Sequence, residues 1–381
     1  MDFSAHNEEV KRVWEAFSQG TPYRVPMMLG INPRFYLLDP KLNTEGVQFR
    51  DYSENPDIMM DIQMKNQDYI RHNIYADHEM GLPKDGWRVY VDLQNYFEAA
   101  WFGADVVFYE NNCPASAEML RDEDTKSRLF DQGIPDPFGN VYAGALEKYE
   151  YMKTKIGTTG FKGVPIGSVG LPTYGTDGPM TVACNLRGTT EFCTDILADP
   201  DYAEELLDYI TDATIERIRA WNKRFLGVEK TPSFGFADDS IQLIGKDTYR
   251  DLVLPRHKRL IEALSTCEQP HSIHLCGDAT RHFPMLKEEL NIMSFDTGFP
   301  VEHGKLLRTL GPDVQVNGGP HVGLLLHGTP DAIRAETRRI LEEVKPESKK
   351  FIIREGNNLS PCTPPENIKA MYDTVLEYGR F

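Results

Sequence analysis

The sequence predicts one α/β domain, a (β/α)8 TIM barrel carrying extra N-terminal helices and lid insertions. Three observations predict it. Short apolar runs that end in glycine or a polar residue recur eight times, longer amphipathic stretches lie between them, and no linker or low-complexity tract divides the 381 residues. Strands that alternate with helices run parallel, and eight parallel strands close into a ring whose chemistry gathers at their C-terminal ends. A single domain over 1–381 is the simplest account.

The predicted strands cover 25–30, 105–110, 164–170, 233–239, 271–276, 292–297, 314–319 and 351–356. Helices at 279–290, 304–310 and 330–344 separate the last four; Thr329 offers an N-cap and Pro330 suits the first turn. The stretch 200–226 places Ala203, Leu206, Leu207, Ile210, Ala213, Ile218 and Trp221 on one helical face, as an outer-ring helix requires. Two long intervals, about 32–91 and 113–161, exceed ordinary βα loops and should carry helices of their own or a lid. The segment 56–73 reads as one such helix, its methionines packing the core.

Charge narrows the partners. With 58 acidic against 41 basic residues, the net charge of −17 repels nucleic-acid phosphates and anionic membrane surfaces. It also disfavours a substrate carrying many carboxylates unless arginines cluster locally. The polar, acidic start at Asp2 to Glu9 lacks a secretion-signal pattern, and no apolar run is long enough to span a bilayer. A soluble, cytoplasmic protein is expected, with a homodimer among the assemblies allowed. Its six cysteines then act as thiols or metal ligands rather than disulfides.

The fifth predicted strand ends His274-Leu275-Cys276-Gly277-Asp278. Residues two apart on a strand share a face, so an imidazole and a sulfur point together into the barrel mouth. That donor pair suits zinc, which takes His nitrogen and Cys sulfur and keeps one position open in catalytic sites. Cys362, just beyond the eighth strand, is the first choice of third ligand, and Glu355 is the second.

Other strand ends supply polar groups. Asp238 and Asp239 close the fourth strand; adjacent strand residues face opposite ways, so one of them reaches the cavity as a general base or a substrate contact, and the other caps or braces a loop. Glu110 and Asp296 are comparable carboxylates at the second and sixth strands. Asn317 and His321 follow the seventh, where glycines allow close backbone approach or simply make a turn. Gly175-Thr176-Asp177-Gly178 lacks the lysine and the spacing of a phosphate loop.

Several short motifs then occur in register: Arg24-Val25-Pro26, Gly178-Pro179-Met180-Thr181, Leu186-Arg187-Gly188, Asp199-Pro200, Ala237-Asp238-Asp239-Ser240, His274-Leu275-Cys276-Gly277, Asn317-Gly318-Gly319, Leu326-His327-Gly328-Thr329-Pro330 and Thr363-Pro364-Pro365-Glu366-Asn367. In these the chain resembles the uroporphyrinogen decarboxylase superfamily over most of its length. Within that superfamily it resembles the zinc-dependent, corrinoid-linked methyltransferases, whose His-x-Cys…Cys set His274 and Cys276 match in part. Those methyltransferases carry a cysteine where this chain has Asn357, with Cys362 five residues later. The decarboxylases carry an arginine cluster after the first strand, where this chain has Leu29-Gly30-Ile31-Asn32-Pro33-Arg34. The resemblance implies a methyltransferase moving a methyl group between a corrinoid protein or cobalamin and a small thiol, methoxy or methylamine compound. On this reading Zn2+ would sit on His274, Cys276 and Cys362, with Glu355 as the alternative third ligand, and the strand-end positions make Asp238 and Glu110 catalytic and set Tyr174, Asp239, Asn317, His321 and Asn357 facing substrate. Two other readings stay open: a decarboxylase-like carboxy-lyase, and a non-catalytic component of a corrinoid methyltransferase complex.

Overall fold

The computed structural model describes residues 2–381. Five parallel strands, Gly235–Ala237, His271–Leu275, Ile292–Thr297, Gln315–Gly318 and Phe351–Ile353, lie side by side in chain order. Their register sets Ala237, His274, Asp296, Asn317 and Ile352 in one row across the sheet. The far edge is extended by the segment around Met27. Met27 bridges Ile353, with Ile353 N–H donating to Pro26 (2.9 Å) and Met28 N–H to Ile353 (3.0 Å).

On the other side Trp87–Tyr90 runs parallel to Val164–Gly170, which also makes a short hairpin with Gly160–Phe161. The continuation of that strand meets the five-stranded sheet where Ala237 N–H donates to Thr176 C=O (3.2 Å). On its other side Met27 C=O accepts from Asp77 N–H (2.8 Å), and Val25, Met27, Ile74, Ala76, Trp87 and Val89 are all fully buried. Eight staves result, the number a (β/α)8 barrel has.

Seven of them stand where the sequence predicts. The second does not: it is Trp87–Tyr90, inside an interval expected to hold only helices or a lid, whereas Val106–Val107 of the predicted strand 105–110 forms a two-stranded antiparallel hairpin with Ala115–Ser116. The cause lies in burial. Trp87, Val89 and Val91 alternate inward around the exposed Arg88, a mixed pattern that looks polar by composition. The more apolar run ends with Val107 and Tyr109 at 37% and 48% exposure.

Helices pack the outside. Pro200–Leu226 starts on Asp199, whose carboxylate accepts from Tyr202 N–H, and stops at Gly227 in a left-handed conformation (φ 74°). Pro56–Asn73 buries Met59, Met60 and Met64 in the core as its pattern implies, and Pro330–Val344 is capped by Thr329. The 113–161 interval holds helices at Arg128–Gln132 and Val141–Lys153 beside the hairpin strand. No helix among the described residues is long and apolar enough to cross a membrane.

Candidate metal centre

His274 sits one residue before the end of its strand and Cys276 just past it, so both project at the C-terminal rim. The backbone of Cys276 is clasped closely: a side chain at Gly298 would collide with the Cys276 carbonyl. The Cys276 N–H donates to Asp239 Oδ1 at 2.6 Å. Single ligand atoms of Asp239, His274 and Cys276 all lie within 4.8 Å of one another. One ion with bonds of about 2.0–2.3 Å to nitrogen, sulfur and oxygen fits such a set.

The imidazole is oriented for this from behind. His274 Nδ1 meets Asp296 Oδ2 at 2.6 Å, which leaves Nε2 facing Cys276 Sγ at 2.9 Å. Asp296 is itself pinned by Arg354 Nη1, 2.8 Å from each carboxylate oxygen, and Arg354 Nη2 reaches Glu355 at 2.6 Å and the Asn357 carbonyl at 3.0 Å. A carboxylate behind a histidine, fixing the free nitrogen forward, is the usual outer arrangement of metal-bound imidazole. Burial opposes charge on His274, but Asp296 and the Cys276 sulfur outweigh it and bring the imidazole up to about 10. Burial pushes the Cys276 thiol up. Metal binding would have to expel both protons.

These groups border a cavity of about 480 Å³ lined by Arg34, Asn95, Asp177, Thr181, Asn185 and Asn357 among others, with Pro114, Ala115 and Ser116 of the hairpin forming one wall. The lid expected from the second insertion is therefore part of the site.

Asp238 and Asp239 divide as alternation requires, and the structure says which does what. Asp239 borders the cavity. Asp238 is fully buried and turns the other way, accepting from Met180 N–H (3.2 Å), Thr181 N–H and Oγ1 (both 2.8 Å) and His257 Nε2 (2.8 Å). It braces the start of the helix Pro179–Arg187, where Gly178 (φ 80°) presses against the Ala237 carbonyl so closely that no side chain would fit. This corrects its expected place at the reacting centre.

Other expectations are corrected in the same way. Glu110 is exposed in the turn of the hairpin, because the strand it was expected to end is not a stave. Cys362 is exposed, its sulfur 3.8 Å from the Leu38 carbonyl, and it is not one of the clustered donors. Glu355 is turned into the protein, accepting from Arg354 and from Gly30 N–H (2.8 Å); burial raises its carboxyl to about 7. Tyr174 stacks on Trp221 (5.2 Å, 10°) and donates to Asn222. His321 caps the helix Val322–His327 through Gly323 N–H and borders a different cavity of about 510 Å³. Asn317 lies in the same strand row as His274 and Asp296 and accepts from Gln315. Asn357 does border the site, its Oδ1 3.4 Å from Cys276 Sγ.

Sequence reasoning missed Arg354 and Asp177. Arg354 looked like an ordinary residue after a strand; the signal for it was the carboxylate at Asp296 needing a partner. Asp177 was passed over with the phosphate-loop comparison, although its neighbour Gly178 begins a family-like motif. The Asp177 N–H donates to Glu98 (2.6 Å), which in turn pairs with the fully buried Arg217.

A family model for uroporphyrinogen decarboxylase (URO-D) matches residues 8–378. Over 196 residues, half of this chain, the sequence is 29% identical to the methylated-thiol–coenzyme M methyltransferase of Methanosarcina mazei, and the match spans 49% of that protein. The chain thus spans about half the length of this relative. A uroporphyrinogen decarboxylase of Prochlorococcus marinus is 23% identical over 346 residues, 90% of this chain and 89% of that one. A solved methyltransferase structure from Methanosarcina mazei superposes with a TM-score of 0.64 over 97% of this chain and 98% of that one, at 19% identity, a likeness of fold.

Proposed function

Because the chain belongs to the uroporphyrinogen decarboxylase (URO-D) family, we propose that it is a metal-dependent methyltransferase of that family, acting between a corrinoid and a small methylated or thiol compound. The observation that carries this reading is the orientation of His274: Asp296 holds Nδ1, and Nε2 faces the Cys276 sulfur with Asp239 alongside. Zinc is the ion this nitrogen, sulfur and oxygen set suits, and it would supply a Lewis acid that keeps a thiol ionised or polarises a methyl donor. His274, Cys276 and Asp239 would hold it, in place of the set with Cys362 expected from the sequence. Asp296, pinned by Arg354, holds Nδ1 and so aims Nε2 forward, and the Nε2 proton would leave as the ion binds. Asn357, beside the sulfur, and the hairpin residues Pro114 to Ser116 shape the opening through which a corrinoid partner reaches the substrate.

The decarboxylase reading has less support in the cavity wall. Among the described residues bordering the cavity, Arg34 is the one guanidinium and there is no lysine. Many carboxylates of a porphyrinogen need several such forks.

Metal analysis of the purified protein tests the proposal. About one zinc per chain is expected in the wild type. His274→Ala and Cys276→Ala should lose it, and Cys362→Ser should keep it. A wild type that binds no zinc ends the proposal, and loss of zinc in the Cys362 variant would return that residue to the ligand set. Zinc binding without methyl transfer from any donor to a corrinoid would favour the non-catalytic component.

A further inference from the structure

The cavity wall says more about the substrate than the metal donors do. It contains no aromatic side chain and no large aliphatic one; besides His274, Cys276 and Asp239 it is built from Arg34, Asp177, Thr181, Ser116, Pro114, two alanines and four carboxamides, Asn95, Asn185, Asn357 and Asn358. Ligand pockets are usually apolar with a few polar groups, so this composition is unusual and points to a small hydrophilic substrate. A methoxylated arene would find no face to stack on.

Two ionisable side chains in this wall have no charged partner at ion-pair distance among the described residues. Arg34 is held by neutral partners, Nε donating to Gln94 Oε1 (2.5 Å) and Nη2 to Asn95 Oδ1 (2.6 Å), and no carboxylate among the described residues lies within ion-pair distance of it. Asp177 is fixed through its backbone N–H by Glu98, while its carboxylate receives no hydrogen bond or ion pair from the described residues. Arg217 pairs with Glu98 and the Gly175 carbonyl and makes no ion pair with Asp177, although the two attract each other at longer range. Burial and the carboxylates of Glu98, Asp239 and Asp238 make a bare anion at Asp177 costly, and it is held protonated up to about 7. A cation brought into the cavity would relieve that cost.

We propose that the site recognises a small zwitterion, an N-methylated amino acid whose carboxylate pairs with Arg34 and whose ammonium N–H donates to Asp177. The four carboxamides serve the remaining polar groups, and the ligand's methyl groups are turned toward the metal donors. This rests on the methyltransferase reading for the metal but concerns only these two arms of the cavity.

Calorimetric titration of the zinc-loaded protein tests it with N,N-dimethylglycine as the probe. The two controls are isovalerate, the same shape without the nitrogen, and N,N-dimethylethylamine, which lacks the carboxylate. Each charge-assisted contact should matter by about tenfold or more in affinity, so dimethylglycine should bind at least that much tighter than either control. Asp177→Asn should abolish the preference over isovalerate, and Arg34→Gln the preference over the amine. Thermal melting establishes that each variant is folded; if one is not, the wild-type panel alone decides. Equal affinity for either control, or no binding of dimethylglycine to protein shown to hold zinc, overturns the proposal while leaving the metal centre standing. Failure to load zinc instead strikes the reading beneath it.

Discussion

Whether His274 can act as a ligand is decided at Asp296, since the carboxylate determines which ring nitrogen is free. Replacing it with asparagine removes the charge but keeps a similar shape. Asp296→Asn should weaken zinc binding by about 10–100-fold with little change in fold, measurable by competition with a chelating dye. An unchanged affinity would mean the carboxylate only serves Arg354. The sequence could show His274 and Cys276 because their spacing alone, on any strand, puts them on one face. Cys362 looked equally good by type, but five residues of loop carry it to the Leu38 carbonyl, and loop paths are not written in composition. Asp239 was visible only as one of two neighbours, and the choice between them needed the helix Pro179–Arg187 in place.

That helix is an example of how elements, rather than residues, build the site. Its start carries Thr181 into the cavity wall and is held by Asp238, which also accepts from His257, itself joined to Tyr249 OH (3.1 Å). Asp238→Ala leaves a buried histidine and the helix start without their acceptor. A loss of about 3–5 kcal/mol is expected in urea unfolding, with zinc binding retained in the folded fraction. A variant as stable as wild type but inactive would instead place Asp238 in the chemistry. Elements with strong periodicity or caps, such as Pro56–Asn73, Pro200–Leu226 and Pro330–Val344, were legible to the residue. The strand Trp87–Tyr90 was not, because Arg88 on its outer face hid the alternation and the run at 105–110 offered a more obvious choice.

The molecule as a whole carries an acid sensitivity in its buried histidines. Burial lowers His78, His282 and His303 from 6.5 to about 4. Each stays neutral in the fold where the unfolded chain would take a proton. The stability tied to neutrality is therefore complete above about 6.5 and drains away as pH falls toward 4. Melting temperature should decline across that window, and His303→Phe should flatten part of the slope. A profile flat down to pH 4 would mean these rings are protonated in the fold.

The seam of the barrel has a consequence for biosynthesis. Gly30 N–H is bound to the carboxylate of Glu355, 325 positions later, next to the bridge between Met27 and Ile353. While the chain is being translated, its early stave waits with an unpaired edge until nearly the last strand leaves the ribosome, so a nascent chain stalled short of that point would expose a sticky ribbon and need chaperone protection.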